Sequence, residues 1–134
     1  MKRYLLLAAL VLAFISLKAQ TPDTVKIDNR VYATVEKLPT YPDGMSAFYY
    51  YISTALHYPA IDQKNHVQGR VFVSFIVERD GTLSTIKVLR APSETLGKEG
   101  ARIISQSPKW IPGMQGGKTV RVQFTLPINF ALKD

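Results

Sequence analysis

The chain contains no cysteine, and this absence removes several classes of function at once. Without cysteine there is no disulfide framework, thiolate metal site, cysteine nucleophile or lipid-anchor cysteine. Histidine is also scarce: His57 and His66 stand on either side of Pro59 and lack the i, i+4 spacing of a helical metal pair. The sequence therefore predicts no metal site and no cofactor.

Motifs that build catalytic centres are missing as well. There is no Gly-x-Ser-x-Gly elbow, and the glycine-rich segment at residues 115–118 precedes a predicted strand instead of a helix, unlike a phosphate-binding loop. Glu78 and Asp80 lie in a predicted hairpin turn, and a role in that turn accounts for both acidic residues without a catalytic one. Because nothing assembles a nucleophile, a base and an oxyanion site, we predict that the protein is not an enzyme.

The N-terminus has the pattern of an export signal. Lys2 and Arg3 precede an apolar run at residues 5–17, so we predict that residues 1–20 are a signal peptide. The run of about 13 residues would form about 20 Å of helix. A hydrocarbon core of roughly 30 Å needs about 20 residues. We therefore expect cleavage; the alternative is an uncleaved membrane anchor.

The charge of the chain does not indicate nucleic-acid binding. Cleavage would lower the net charge from +7 to about +4. The basic residues are scattered along the sequence instead of forming a patch or stripe. We expect them to lie on a solvated surface, and we expect no nucleic-acid partner.

Hydrophobic periodicity predicts an α+β domain, with two or three helices on one face of a small antiparallel sheet. The predicted elements are a short strand within 31–35, a helix over 45–56 with Asp43 as its N-cap, a short helix over 60–65, a hairpin of strands 71–77 and 83–89, a helix from about 96 to 107, a loop over 113–118 and a final strand over 120–130. We divide the chain into the signal peptide, a lead segment at 21–37 and one domain at 38–134.

The final predicted strand is the most informative segment. Its apolar and other residues alternate strictly: Val120, Val122, Phe124, Leu126, Ile128 and Phe130 against Arg121, Gln123, Thr125, Pro127 and Asn129. Such alternation is typical of a strand with one buried face. Pro127 cannot donate to a ladder, which favours a sheet edge. An edge strand can accept a partner's strand; the alternative is an ordinary edge strand that its proline protects.

Five short motifs, in their order and spacing, resemble the C-terminal domain of TonB proteins. They are Tyr58-Pro59, Gln68-Gly69-Arg70-Val71, Asp80-Gly81, Pro108-Lys109-Trp110-Ile111-Pro112-Gly113 and Pro127-Ile128-Asn129-Phe130. The resemblance covers roughly residues 39–132. It implies the fold of that domain. The residues themselves assign Trp110 and Tyr58 to packing, because large aromatics beside prolines usually hold a turn against a core.

The resemblance also implies a role in TonB-dependent transport across the outer membrane. TonB proteins carry the energy of the inner-membrane proton gradient to outer-membrane transporters. Their periplasmic C-terminal domain binds a short transporter segment, the TonB box, as a strand added beside its last strand. On this chain the partner-binding strand would be Lys118, Thr119, Val120, Arg121, Val122, Gln123 and Phe124. We therefore expect a periplasmic domain whose partner is an outer-membrane transporter.

The chain departs from a complete TonB protein in its N-terminal part. A full transducer has an uncleaved inner-membrane anchor, which contacts motor proteins, and a long proline-rich spacer. Here about a dozen residues separate the apolar run from Val31, or about 40 Å of extended chain. The motor proteins would be partners only if the N-terminus stays uncleaved, facing the periplasm from the inner membrane.

Three further points concern residue 61, the alternative function and the oligomeric state. The arginine common in the family after Tyr-Pro-Ala is replaced here by Ile61, so any contact of that arginine is absent. The alternative function is a structural or interaction module of the cell envelope that has the same fold and no role in energy transduction. The oligomeric state is not determined, and a homodimer is one of the options.

Overall fold

The computed structural model describes residues 28–133. The predicted signal peptide and residues 21–27 of the lead segment lie outside the described residues, so the signal peptide stays a prediction. The elements are β1 (Val31–Tyr32), α1 (Met45–Ala55), α2 (Ala60–Lys64), β2 (Gly69–Val77), β3 (Leu83–Arg90), α3 (Glu94–Ser105), β4 (Gly113–Gln115) and β5 (Lys118–Phe130). In residues 28–133 no helix is long and apolar enough to span a membrane.

The strands form one five-stranded sheet, and the predicted α+β class is confirmed. The order is β1-β5-β2-β3, and β4 also pairs with β5. The central pairs β2–β3 and β2–β5 are antiparallel, as expected. The β1–β5 pair is parallel, with Val31 opposite Arg121 and Tyr32 opposite Val122. The final strand therefore acquires a neighbour that alternation alone does not predict.

The alternating pattern of β2 and β5 builds the core. Even-numbered residues of β5 from Val120 to Phe130 are buried or half-buried, and odd-numbered ones from Gln123 to Asn129 are exposed. Val71, Val73, Phe75 and Val77 of β2 are fully buried on the same face. The helices add Phe48, Ile52, Leu96, Ile103 and Ile104 to this core. In β5, burial on one face and exposure on the other fix the register, since a slip of one residue would exchange the two faces.

Helix α3 lies close to the sheet because two of its residues are glycines. A Cβ on Gly100 would come within 2.8 Å of Val71 Cγ1, and one on Gly97 within 3.3 Å of Val88 Cγ1. Glycine in a helix costs roughly 1 kcal/mol relative to alanine, and here that cost is offset by the close approach. Ser93 begins the helix: its Oγ accepts a hydrogen bond from the Leu96 N–H at 3.1 Å.

Two local predictions are wrong. Asp43 does not cap α1: the N-cap is Gly44, no side chain caps the helix, and Asp43 has a φ of 67°. The reason is a turn in which the Gly44 N–H donates to the Tyr41 carbonyl, because this turn places Asp43 in the left-handed region that aspartate tolerates.

The segment at 113–118 is not a plain loop. It contains β4, which pairs Gly113, Met114 and Gln115 with Val120, Thr119 and Lys118. Only Gly116 and Gly117 form the turn, both at positive φ, as two-residue hairpin turns of type I′ require. Met114 also exchanges backbone hydrogen bonds with Lys37, of 2.9 and 3.1 Å. The end of the predicted lead segment is thereby tied to the β4–β5 hairpin.

Candidate functional site

The candidate site is the edge of β5 that faces away from β2. From Val122 to Phe130 one side of β5 is paired with β2 in an unbroken antiparallel register. On the other side, β1 pairs only with Arg121 and Val122. Within residues 28–133, no strand pairs with that side between Gln123 and Phe130. This stretch is the open edge.

The structure divides the seven sequence-predicted binding residues into two groups. Lys118, Thr119 and Val120 pair with β4, and Arg121 and Val122 pair with β1. Gln123 and Phe124 have only β2 as a strand neighbour. Of the seven, only Val122 has a strand on both sides, β1 and β2, because the pairing with β2 begins at Val122. The open edge continues beyond the predicted segment to Thr125, Pro127 and Asn129.

Pro127 indicates which residues direct backbone groups to the open edge. It lies opposite Phe72 of β2. Since proline has no N–H, it is compatible with a ladder where that position faces outward. Along an unbroken antiparallel strand, alternate residues direct their N–H and C=O groups to the same side. The outward residues are therefore Gln123, Thr125, Pro127 and Asn129, of which Pro127 lacks a donor.

An ion pair supports the start of the edge. Arg121 Nε lies 2.6 Å from Glu78 Oε1, and Arg121 Nη2 lies 3.2 Å from Glu78 Oε2. Hydrogen bonds from Arg121 and then from Ser84 hold the pKa of Glu78 below its ordinary value, although partial burial opposes this shift. The pair joins β5 to the turn that follows β2.

The same region holds β1 in place through the segment before it. Arg121 Nη1 donates to the Asn29 carbonyl at 2.9 Å, and Arg79 Nη1 donates to the Asp28 carbonyl at 2.8 Å. Arg79 Nη2 also donates to Asn29 Oδ1 at 2.9 Å. Arg121 of β5 and Arg79 of the turn after β2 thus hold the segment that leads into β1, a strand of only two residues. Sequence reasoning missed this arrangement because all its contacts are formed between residues about 50 or more positions apart.

Within the segment, Asp28 accepts hydrogen bonds from two neighbours. Arg30 Nε lies 3.0 Å from Asp28 Oδ1, and the Tyr32 hydroxyl donates to Asp28 Oδ2 at 2.6 Å. The hydrogen bond from Arg30 is the largest of the effects that lower the pKa of Asp28 well below its ordinary value. These contacts are exposed, so they define a local turn more than they contribute stability.

An aromatic cluster packs against the core face of β5 at Phe124, near the start of the open edge. The Trp110 ring centroid lies 5.8 Å from that of Phe124, 5.5 Å from Phe75 and 5.2 Å from Phe48. Trp110 is buried, and its Nε1–H donates to Ser107 Oγ at 3.1 Å, so its one polar group is satisfied. The assignment of Trp110 to packing is confirmed, and the same is true of Tyr58, whose ring contacts Phe130 edge-on.

A cleft adjoins the far end of the open edge. It has a volume of about 600 Å³ and lies between α1 with the loop after it and the end of β5. Its lining includes Tyr49, Ile52, Ser53 and Leu56 on the helix side and Pro127 and Asn129 on the strand side. Arg70 and Lys133 supply two cations, and no acidic side chain of the described residues lines it. We call it the α1–β5 cleft.

A second polar cluster ties the end of α1 to α3. Glu99, only 8% exposed, accepts hydrogen bonds from the His57 backbone N–H and from Arg102. Arg102 Nη2 in turn donates to the Ala55 carbonyl at 2.6 Å. Burial raises the pKa of Glu99, but the hydrogen bonds from Arg102 and His57 outweigh it and leave the pKa below its ordinary value. The cluster fixes the position of α1, and therefore of the α1–β5 cleft.

The described residues contain no cluster of metal-ligand side chains. Among residues 28–133 there is no group of three or more histidine, aspartate or glutamate side chains close enough to hold a metal ion. Asp62 is buried and has hydrogen bonds from Ser93 Oγ and Thr95 Oγ1. Its polar contacts are those of a structural link between α2 and α3.

The fold and the open edge define an α+β protein-interaction domain. The family model described as the Gram-negative bacterial TonB protein C-terminal matches residues 54–132. The chain belongs to this TonB C-terminal domain family, whose members take part in TonB-dependent transport and act as non-enzymatic interaction and energy-transducer domains. A search of curated proteins finds no match.

Two solved structures agree with the family. Both are solution structures of the Helicobacter pylori TonB C-terminal domain. One is 25% identical to this chain, with a TM-score of 0.53, and the match covers 67% of this chain and 95% of that one. The other, a longer fragment, is 24% identical with a TM-score of 0.51, covering 67% of this chain and 81% of that one, and supports the fold alone.

Proposed function

We propose that this domain acts in the periplasm and binds the TonB-box segment of an outer-membrane transporter as a strand added to β5. The observation that carries the proposal is the open edge from Gln123 to Asn129, which has β2 on one side and no strand on the other among the described residues. Strand addition derives its affinity from backbone hydrogen bonds and its specificity from alternate side chains.

Three features support pairing at this edge. The strand is long and its register is fixed by burial on one face. The aromatic cluster around Trp110 makes the edge rigid near Phe124, so less conformational freedom is lost when a partner binds. The exposed Gln123 and Thr125 side chains lie on the face opposite the core and are available to contact a neighbouring strand.

Of the predicted binding segment from Lys118 to Phe124, we propose that only its last two residues pair with the partner at first. In the described state a partner first meets Gln123 and Phe124 and continues toward Asn129. Pairing with Arg121 and Val122 requires β1 to leave. β1 has two residues, so the backbone pairing that a partner must replace is short.

The test uses a substitution that removes one outward donor. Thr125→Pro removes an N–H from the open edge and leaves the ladder to β2 intact, so it should weaken the binding of a TonB-box peptide by about tenfold or more. Thr125→Val keeps the N–H and is the matched control. Binding is measured by calorimetry with peptides from transporters of the same cell. Equal affinity of both variants would rule out strand addition at this edge, and absence of binding to any peptide would favour the envelope-module alternative.

A further inference from the structure

We propose that the α1–β5 cleft receives an apolar side chain of the added strand, and that an acidic residue beside it pairs with Arg70 and Lys133. This inference rests on the proposed function and specifies the chemistry of the partner. It concerns a surface that pairing of the backbone alone leaves unused.

Continuity between the cleft and the open edge is the first argument. Pro127 and Asn129 belong to both: they are outward-facing residues of β5 and they line the cleft. A strand added along Gln123 and Thr125 therefore reaches the cleft as it continues past Pro127. Because side chains of a strand point alternately to opposite faces, every second residue of the partner is directed toward α1.

The composition of the cleft is the second argument. On the helix side it presents Tyr49, Ile52 and Leu56, and Tyr49 is 56% exposed. An exposed aromatic ring beside an aliphatic floor is typical of positions where interfaces gain most of their affinity. The volume of about 600 Å³ lies within the range of roughly 300–1,000 Å³ for small-molecule sites, so it accommodates a large side chain.

The positive charge of the cleft is the third argument, because it favours partners that carry an acidic residue beside the apolar one. Arg70 and Lys133 stand at the cleft, and no acidic side chain among the described residues lines it. Neither forms a salt bridge with another described residue. A partner with a carboxylate next to its apolar anchor would be attracted and correctly oriented, whereas a basic partner would be repelled.

Two matched pairs of variants test the apolar part. Tyr49→Ser removes the exposed ring of the cleft, and Tyr50→Ser removes its neighbour, which is 71% exposed and does not line the cleft. Tyr49→Ser should weaken the binding of a TonB-box peptide by about tenfold, and Tyr50→Ser by less than about twofold. Ser53→Trp should fill the cleft and weaken binding similarly. Its control is Thr54→Trp, one residue further on the same helix and outside the cleft.

A double-mutant cycle tests the charge. The peptide's acidic residue is changed to its amide, and each peptide is titrated into wild-type protein and into Arg70→Gln. The change should weaken binding to wild type by about threefold to tenfold and have little effect on Arg70→Gln. Thermal unfolding of each variant shows whether a loss of binding comes from a loss of folding. If Tyr49→Ser is unstable, Ser53→Trp tests the role of the cleft instead.

The outcomes separate this inference from the proposed function. If Thr125→Pro abolishes binding but Tyr49→Ser and Ser53→Trp match their controls, strand addition stands and the role of the cleft is overturned. If Tyr49→Ser weakens binding and Thr125→Pro does not, the peptide occupies the cleft without joining the sheet, and both proposals are wrong as stated. If no peptide binds wild-type protein, both are wrong. An equal amide effect in wild type and Arg70→Gln contradicts the charge pairing.

Discussion

Arg121 of β5 and Glu78 at the end of β2 form an ion pair whose shorter contact, Nε to Oε1, is 2.6 Å. Both side chains are about three-quarters buried, at 27% and 24% exposure. The pair lies where β1 meets β5, because Arg121 is also the residue opposite Val31 and a donor to the Asn29 carbonyl. One residue thus links the core sheet, the turn after β2 and the strand that covers the start of the edge.

This ion pair should make stability depend on acid pH. The pKa of Glu78 is lowered in the folded state, mainly by Arg121, from an ordinary value of 4.5. Its contribution is therefore fully present above pH 4.5 and is lost as pH falls through the lower folded pKa. Glu78→Gln should reduce the free energy of unfolding at pH 7 by about 1–2 kcal/mol. In urea titrations the gap between the two proteins should narrow toward low pH; a gap that is constant with pH would contradict this.

Release of β1 should strengthen peptide binding. Arg79 contacts Asp28 and Asn29 from the turn between β2 and β3. Arg79→Gln should loosen β1 without altering β5 and raise the affinity for a TonB-box peptide by about twofold to tenfold, since the competent population increases. Lys87→Gln removes the same charge from β3, two strands away from β5, and should leave the affinity unchanged. Unchanged affinity in Arg79→Gln would mean that β1 does not compete with the peptide.

The two glycines of α3 should respond differently to alanine. Both changes gain roughly 1 kcal/mol of helix propensity. A Cβ at position 100 meets Val71 Cγ1 at 2.8 Å, however, and the nearest atom to one at position 97 is Ala91 Cβ at 3.2 Å. Gly100→Ala should therefore destabilise the protein by about 1–3 kcal/mol, and Gly97→Ala should cost less. Thermal unfolding gives the order; a Gly100→Ala protein at least as stable as Gly97→Ala would show that α3 shifts freely on the sheet.

Pro127 should limit how far strands can pair along the edge. Pro127→Thr would supply the N–H that Pro127 lacks, so that every outward residue of the open edge could donate to a partner strand. We expect stronger peptide binding and more self-association at high protein concentration, measured by sedimentation. Asn129→Thr, which changes a side chain on the same edge without changing the number of N–H groups, is the control. Equal behaviour of the two variants would mean that Pro127 does not protect the edge.

Local patterns predicted most of the elements because their causes are local. The alternation in β5 and β2 predicted the strands, the Asp80-Gly81 turn predicted the hairpin, and the helical spacing of Leu96, Gly100, Ile103 and Ile104 predicted α3, all within a few residues of the observed bounds. Asp43 was mispredicted because capping preference ignores the turn that Tyr41 and Gly44 form. β4 was missed because three residues, Gly113–Gln115, carry too little pattern to indicate a strand.

The sequence by itself determined the core face of β5, the presence of an edge and the family, because alternation, proline chemistry and ordered motifs are properties of the chain. Only the tertiary structure decided which part of that edge is open. Lys118 to Val122 are already paired with β4 and β1, and the open edge runs from Gln123 to Asn129. The α1–β5 cleft also exists only in three dimensions. The hydrogen bond between Arg79 and Asp28 joins residues about 50 positions apart, and Tyr49 and Pro127, which line the same cleft, are further apart still. No periodicity within a segment encodes such relationships.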